Sequence, residues 1–260
     1  MDPTGLHQSE QLTMLLSPQP RRADQVLITF EDRPSDSPVV ERVWRSHSEQ
    51  AGPFHSMATC NWVMVVSRLN DQVFMTVRGP ETRASMADCP PDGEWIGIHF
   101  KVGTFMPQFP NLALRDRNDA TLPDVCGRSF WLSGSAWEYP SFENADVFVQ
   151  RLQKKGMIAS DPHVRSALER RPGSASRRTE QRHFLRASGI TQSTARQIER
   201  ARRAAYLLRS GVPILQVVHD TGYFDQAHLT RSLQHFVGRT PAQVSRGEGQ
   251  LSFLYKPYSL

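Results

Sequence analysis

Apolar and polar positions change rhythm along this chain. Through the first hundred residues they come in short β-type runs: VLITF (26–30), VERVW (40–44), WVMVVSRL (62–69), QVFMTVRG (72–79) and EWIGIHFK (94–101). Asn70-Asp71 reads as a hairpin turn, and Gly79-Pro80 and Pro90-Pro91-Asp92-Gly93 mark further turns. Many short strands with Gly/Pro punctuation and no helices between them predict an antiparallel sandwich or barrel. Residues 103–142 are rich in Pro, Asn, Asp and Gly and read as a long loop with one strand over 129–132. Over 143–155 the period becomes helical, with Ala145, Phe148, Val149 and Leu152 on one face and Glu143 or Asn144 near the start. That helix closes a first domain.

Past residue 161 the helical period persists and is cut into units by capping residues. Ser176 is placed to cap a helix running to Gly189, which can take the left-handed conformation that stops it. Phe184 and Ala187 fall on one side of that helix; Arg178, Gln181, Arg182 and Leu185 fall on another. Thr191 caps a long helix to about residue 209, with Ile198, Ala201, Ala205 and Leu208 as its packing stripe. Pro213 is pre-set for the first turn of a short helix, ILQVVHD, ended by Gly222. Asp225 caps QAHLTRSLQHF, whose buried stripe is Leu229, Leu233 and Phe236. Gln226, Ala227, Thr230 and Arg231 face away from that stripe, with His228 at its border. Thr240-Pro241-Ala242-Gln243 has the spacing of a capping box. Two helix-turn-helix units joined by one helix follow. Their polar faces suit a major groove, where Arg pairs bidentately with guanine and Gln with adenine.

The run S-x-x-x-x-Q-R-x-F-x-x-x-x-G, then R-A-R-R-A-A-x-L-L, then D-T-G-Y-F-D-Q-x-H-L-T-R-S-L-x-x-F-x-G-x-T-P resembles the DNA-binding domain of AraC/XylS transcriptional regulators. The resemblance covers about residues 161–246. It departs at Glu180, where the family usually buries an aliphatic side chain, and at Leu229, where it usually buries an aromatic one. It implies DNA contacts at Arg177, Arg178, Gln181 and Arg182 in the first unit. In the second unit it implies Gln226, Ala227, His228, Thr230 and Arg231. It also implies double-stranded DNA and RNA polymerase as partners, and a cupin-like N-terminal domain that binds an effector or a second subunit as a homodimer; activator and repressor both stay open.

Charge sharpens the division. Residues 161–246 hold fifteen Arg, no Lys and six acids, a net of +9 that leaves −4 for the rest of a chain of net charge +5. One basic half suits polyanion binding, and the use of Arg alone suits bidentate contacts. Three scattered cysteines, Cys60, Cys89 and Cys126, fit neither a disulfide framework nor zinc-finger spacing. They read as small buried hydrophobes more readily than as a thiol sensor. No run of roughly 20 apolar residues offers a membrane span, so a cytoplasmic protein with no membrane partner is expected.

The N-terminal histidines, His7, His47, His55 and His99, show no H-x-H pair, so no metal site, cofactor or enzymatic role is expected. Trp62, Phe74, Trp95 and His99 are the candidates for lining an effector pocket, although each would serve equally as plain core. The expected fold is α+β: a β-rich cupin-like barrel or sandwich followed by an all-α module with two helix-turn-helix units. The expected boundaries are an arm over 1–22, a sensing or dimerisation domain over 23–155, a linker over 156–160, the DNA-binding domain over 161–246 and a tail over 247–260. The function expected is a sequence-specific DNA-binding regulator responding to a small-molecule effector. The alternatives are a metal-dependent cupin-type enzyme fused to a DNA-binding module and a ligand-independent architectural DNA-binding protein.

Overall fold

A computed structural model describes residues 28–109, 114–116, 119–161, 164, 176–248 and 251, without the side chain of Arg177. The arm expected over 1–22 and most of the tail lie outside these residues, as does most of the stretch 162–175 that begins the expected DNA-binding domain. The N-terminal region is built on a six-stranded antiparallel sheet in the order β1-β2-β7-β4-β5-β9. These strands are β1 (Ile28–Pro34), β2 (Val40–Ser48), β4 (Val63–Leu69), β5 (Gln72–Arg78), β7 (Glu94–Phe100) and β9 (Ala120–Leu122). The β4–β5 hairpin turns on Asn70 and Asp71, at φ 48° and 63°. Two consecutive positive-φ residues give the backbone twist that a two-residue hairpin loop requires.

Register decides what each strand residue faces. Val43, Met64, Val77 and Ile98 line up across the sheet. Side chains on this face pack into one core with helix α1 (Ala145–Lys154) and with Phe130 and Leu132 of β11 (Ser129–Leu132). The buried residues of α1 are Ala145, Phe148, Val149 and Leu152, the stripe expected from periodicity. Arg33 anchors this layer by donating to the Phe142 carbonyl at 2.7 Å and to Asp146 at 2.7 Å. The opposite face carries Trp44, Val65 and Trp95 and turns towards a two-stranded ribbon, β3 (Gly52–Ser56) with β6 (Ser85–Cys89).

Several expectations are corrected. The stretch 103–142 holds β8 (Thr104–Phe105), β9, β10 (Asp124–Val125), β11 and β12 (Ser135–Glu138), where a loop with one strand was expected. Strands of two to four residues are too short to display an alternating pattern. The ribbon strands GPFHS and SMADC were missed because Gly, Pro and Asp mask their β character. The expected linker is in part structured, with β13 (Ala159–Ser160) pairing with β8.

The C-terminal part is helical: α2 (Arg177–Ser188), α3 (Gln192–Arg209), α4 (Ile214–Asp220), α5 (Gln226–Phe236) and α6 (Pro241–Arg246). Ser176, Thr191 and Asp225 each accept a hydrogen bond from a first-turn N–H, and Thr240 with Gln243 forms the reciprocal capping box. Pro213 occupies the cap position of α4, one residue before the expected first turn.

Candidate functional site

Two helices present polar faces backed by apolar ones. On α2, Phe184 and Ala187 are buried while Arg178, Gln181, Arg182 and Leu185 are exposed. On α5, Leu229, Leu233 and Phe236 are buried while Gln226, Ala227 and Arg231 are exposed. Thr230 and His228 are half-buried: Thr230 returns its hydroxyl to the Gln226 carbonyl at 2.8 Å, and the His228 ring stands edge-on to Tyr223 at 5.0 Å. Arg177 lies on α2, but its side chain is outside the described ones. Glu180 is half-buried at the edge of the core, where a carboxylate keeps access to water.

Helix α3 holds the two units together. Its stripe, Ala195, Ile198, Ala201, Ala204, Ala205 and Leu208, is buried. Its Arg200 guanidinium sits 4.4 Å from the centroid of Tyr223 in the turn of the second unit. The small alanines let neighbouring helices approach α3 closely.

The helical core extends into the N-terminal region. Met57, Ala58 and Cys60, in the loop after β3, are buried in the same cluster as Phe184, Ile198, Leu233 and Phe236. The Ala58 N–H donates to the Phe236 carbonyl at 2.8 Å, and the Ala84 N–H to the His235 carbonyl at 2.8 Å. These two bonds satisfy carbonyls at the C-terminal end of α5 that no intrahelical partner reaches. Arg202 of α3 donates to the Ala58 carbonyl at 3.0 Å, and the Cys60 thiol donates to Glu199 at 3.2 Å. Burial pushes the Cys60 thiol well above its ordinary pKa, and the Glu199 carboxylate adds to that. Leu251 forms a parallel bridge with His55 of β3, which brings the start of the tail to the same junction.

Between the large sheet and the ribbon lies a cavity of about 250 Å³. Trp95 and His99 line it, with Phe30, Trp44 and Phe54. Trp62 does not: it sits 2% exposed on the opposite, packed side of the sheet, because it shares the parity of Met64 and Val66. Phe74 shares the parity of the cavity face but is not among the residues lining the cavity. Gly97 makes room for Trp44, since a Cβ there would lie 2.0 Å from the indole ring. His99 is held neutral, its pKa lowered to about 3 by burial first and then by the charges of Arg202 and Arg42.

Sequence reasoning missed Arg202, which is 2% exposed and also lines the cavity. The signal was available: Arg202 lies four residues after Ile198 and three before Ala205, inside the buried stripe of its helix. Among the described residues no group of three or more His, Cys, Asp or Glu could hold a metal ion. No described helix is long and apolar enough to cross a membrane.

A β-rich region with an internal cavity, followed by paired helix-turn-helix units with exposed polar faces, defines a DNA-binding transcription regulator. Residues 174–247 match the family described as a helix-turn-helix domain, and this part of the chain is a DNA-binding domain of the AraC type. The match leaves the β-rich region uncovered. No curated protein and no solved structure matches the chain.

Proposed function

We propose that the chain is a one-component regulator that reads an asymmetric DNA site with α2 and α5 and responds to a small molecule through its N-terminal region. The two recognition helices enter successive major-groove segments on one face of the duplex, about 34 Å or one helical turn apart. Arg178, Gln181 and Arg182 read one segment; Gln226, Ala227, His228 and Arg231 read the other. Arg177, Thr230 and the remaining exposed arginines hold phosphates and fix the register. The N-terminal region is the effector-responsive, cupin-like part, and RNA polymerase and a second copy of the chain are the further partners of such a regulator. The observation that carries the DNA-reading part is the pair of exposed polar faces on α2 and α5, each backed by a buried apolar stripe.

The test is to select DNA sites from a randomised library with the full chain and with Arg182→Ala and Arg231→Ala. Each substitution is expected to cost about 1–3 kcal/mol on the selected site and to relax base preference at one position. Uniform weakening on every sequence, with a smaller salt slope, would assign both arginines to phosphates instead.

A further inference from the structure

Phe224, in the turn of the second helix-turn-helix unit, is 91% exposed. A single apolar side chain in water is ordinary on a protein surface. Phe224 is set apart by how firmly the turn holds its backbone and by what stands beside it. Tyr223, the residue before it, is buried: its N–H donates to the Val218 carbonyl at 3.0 Å, and its hydroxyl lies 2.7 Å from the Ser232 hydroxyl. Asp225, the residue after it, caps α5 by accepting from the His228 N–H at 2.6 Å. The His228 ring closes the arrangement, because its Nδ1 accepts the Phe224 N–H at 3.5 Å. A backbone tied on both sides and at its own N–H is ordered before any ligand arrives, which lowers the cost of binding one.

The same bond settles the tautomer of His228. A backbone N–H can only donate, so Nδ1 is the acceptor and Nε2 carries the proton. The start of α5 therefore offers an apolar ring from Phe224 and an N–H donor from His228. Each base shows a different pattern in the major groove, and only thymine sets a methyl group beside an acceptor, O4. Guanine shows two acceptors and no methyl group, and cytosine and adenine each show a donor.

We propose that Phe224 is a base-reading residue and that, together with His228, it selects a thymine in the DNA segment read by α5, its ring covering the 5-methyl group. This rests on the reading of α5 as a recognition helix, whose first residues are the ones that reach base edges, and adds to that reading one residue and one base. His228 has two parts in it. Its Nε2 proton meets O4, and its Nδ1 positions Phe224 through the backbone.

The test uses the full chain and a DNA site that it selects from a randomised library. Each thymine of that site is replaced in turn by uracil, which removes the methyl group and keeps O4 and the base pairing. One replacement is expected to weaken binding by about four-fold, the worth of one buried methyl group. Phe224→Ser is expected to erase the thymine-to-uracil ratio at that position alone, and Phe224→Leu to keep part of it. His228→Ala is expected to weaken binding to both bases and to shrink the ratio, which a merely structural role would leave unchanged. If every uracil binds like thymine while a preferred sequence is still selected, Phe224 has no base-reading role and the reading of α5 stands. A ratio that survives Phe224→Ser would assign the methyl group to another residue and overturn the proposal. So would a Phe224→Ser protein that binds every site unchanged but no longer acts on transcription by purified RNA polymerase, since Phe224 would then face a protein. A library that returns no preferred sequence would overturn the reading of α5 and the proposal with it.

Discussion

The alternation along β7 puts His99 on the opposite face from Ile98 and Phe100, in a cross-strand row with Arg42 and Val63. Burial lowers its pKa to about 3, and Arg202 and Arg42 add to the effect. The unfolded chain takes up a proton on this imidazole near pH 6.5, whereas the folded chain does not until about pH 3. Over that window the unfolded state binds more protons as pH falls, so stability drops with acidification. The contribution reaches roughly 1.4 kcal/mol for each pH unit once the unfolded histidine is charged. Melting temperatures measured from pH 7 to pH 4 should therefore fall more steeply for the unsubstituted protein than for His99→Gln. Parallel profiles would mean that His99 titrates in the fold much as it does in water.

At the scale of elements, the caps did most to make the C-terminal half legible. Ser176, Thr191, Asp225 and Thr240 each cap as their residue types and spacing suggested, and Gly189 takes the left-handed conformation at φ 76°. Asp225 accepts from the His228 N–H at 2.6 Å at the start of α5, and Gln226 and Ala227 occupy the turn it organises. Asp225→Ala should cost about 1 kcal/mol of stability. It should also weaken base preference in the half of the selected site read by α5 while sparing the half read by α2. Equal losses in both halves would show that the cap supports the module as a whole. The β-rich half was less legible for a physical reason. A period of two states which residues share a face but not which face is packed, so Trp62 and Trp95 looked alike as pocket candidates until register separated them. The ribbon of β3 and β6, whose residues help line the cavity, carried too little apolar alternation to be seen. Arg202 was hidden because an arginine in a basic run reads as a solvated face, although its helical position marked it as buried.

For the whole molecule the telling feature is that Met57, Ala58 and Cys60 of the N-terminal region are buried in the core of the helical one. Two backbone bonds, from Ala58 and Ala84, end on the last turn of α5, so this helix is held from behind by the β-rich half. A core shared in this way couples the two halves energetically, and a cavity made in it should be felt by both. Met57, 2% exposed and in contact with this cluster, is the side chain to remove. Met57→Ala should cost about 2–5 kcal/mol. The five tryptophans, Trp44, Trp62, Trp95, Trp131 and Trp137, all lie in the N-terminal half, while most of the described helix lies in the C-terminal half. Tryptophan fluorescence and far-ultraviolet dichroism thus report on different halves of one chain. Coincident melting by both probes, shifted together in Met57→Ala, is expected of a single cooperative unit. If the two transitions separate, and the substitution moves only one of them, the shared core does not bind the halves into one unit.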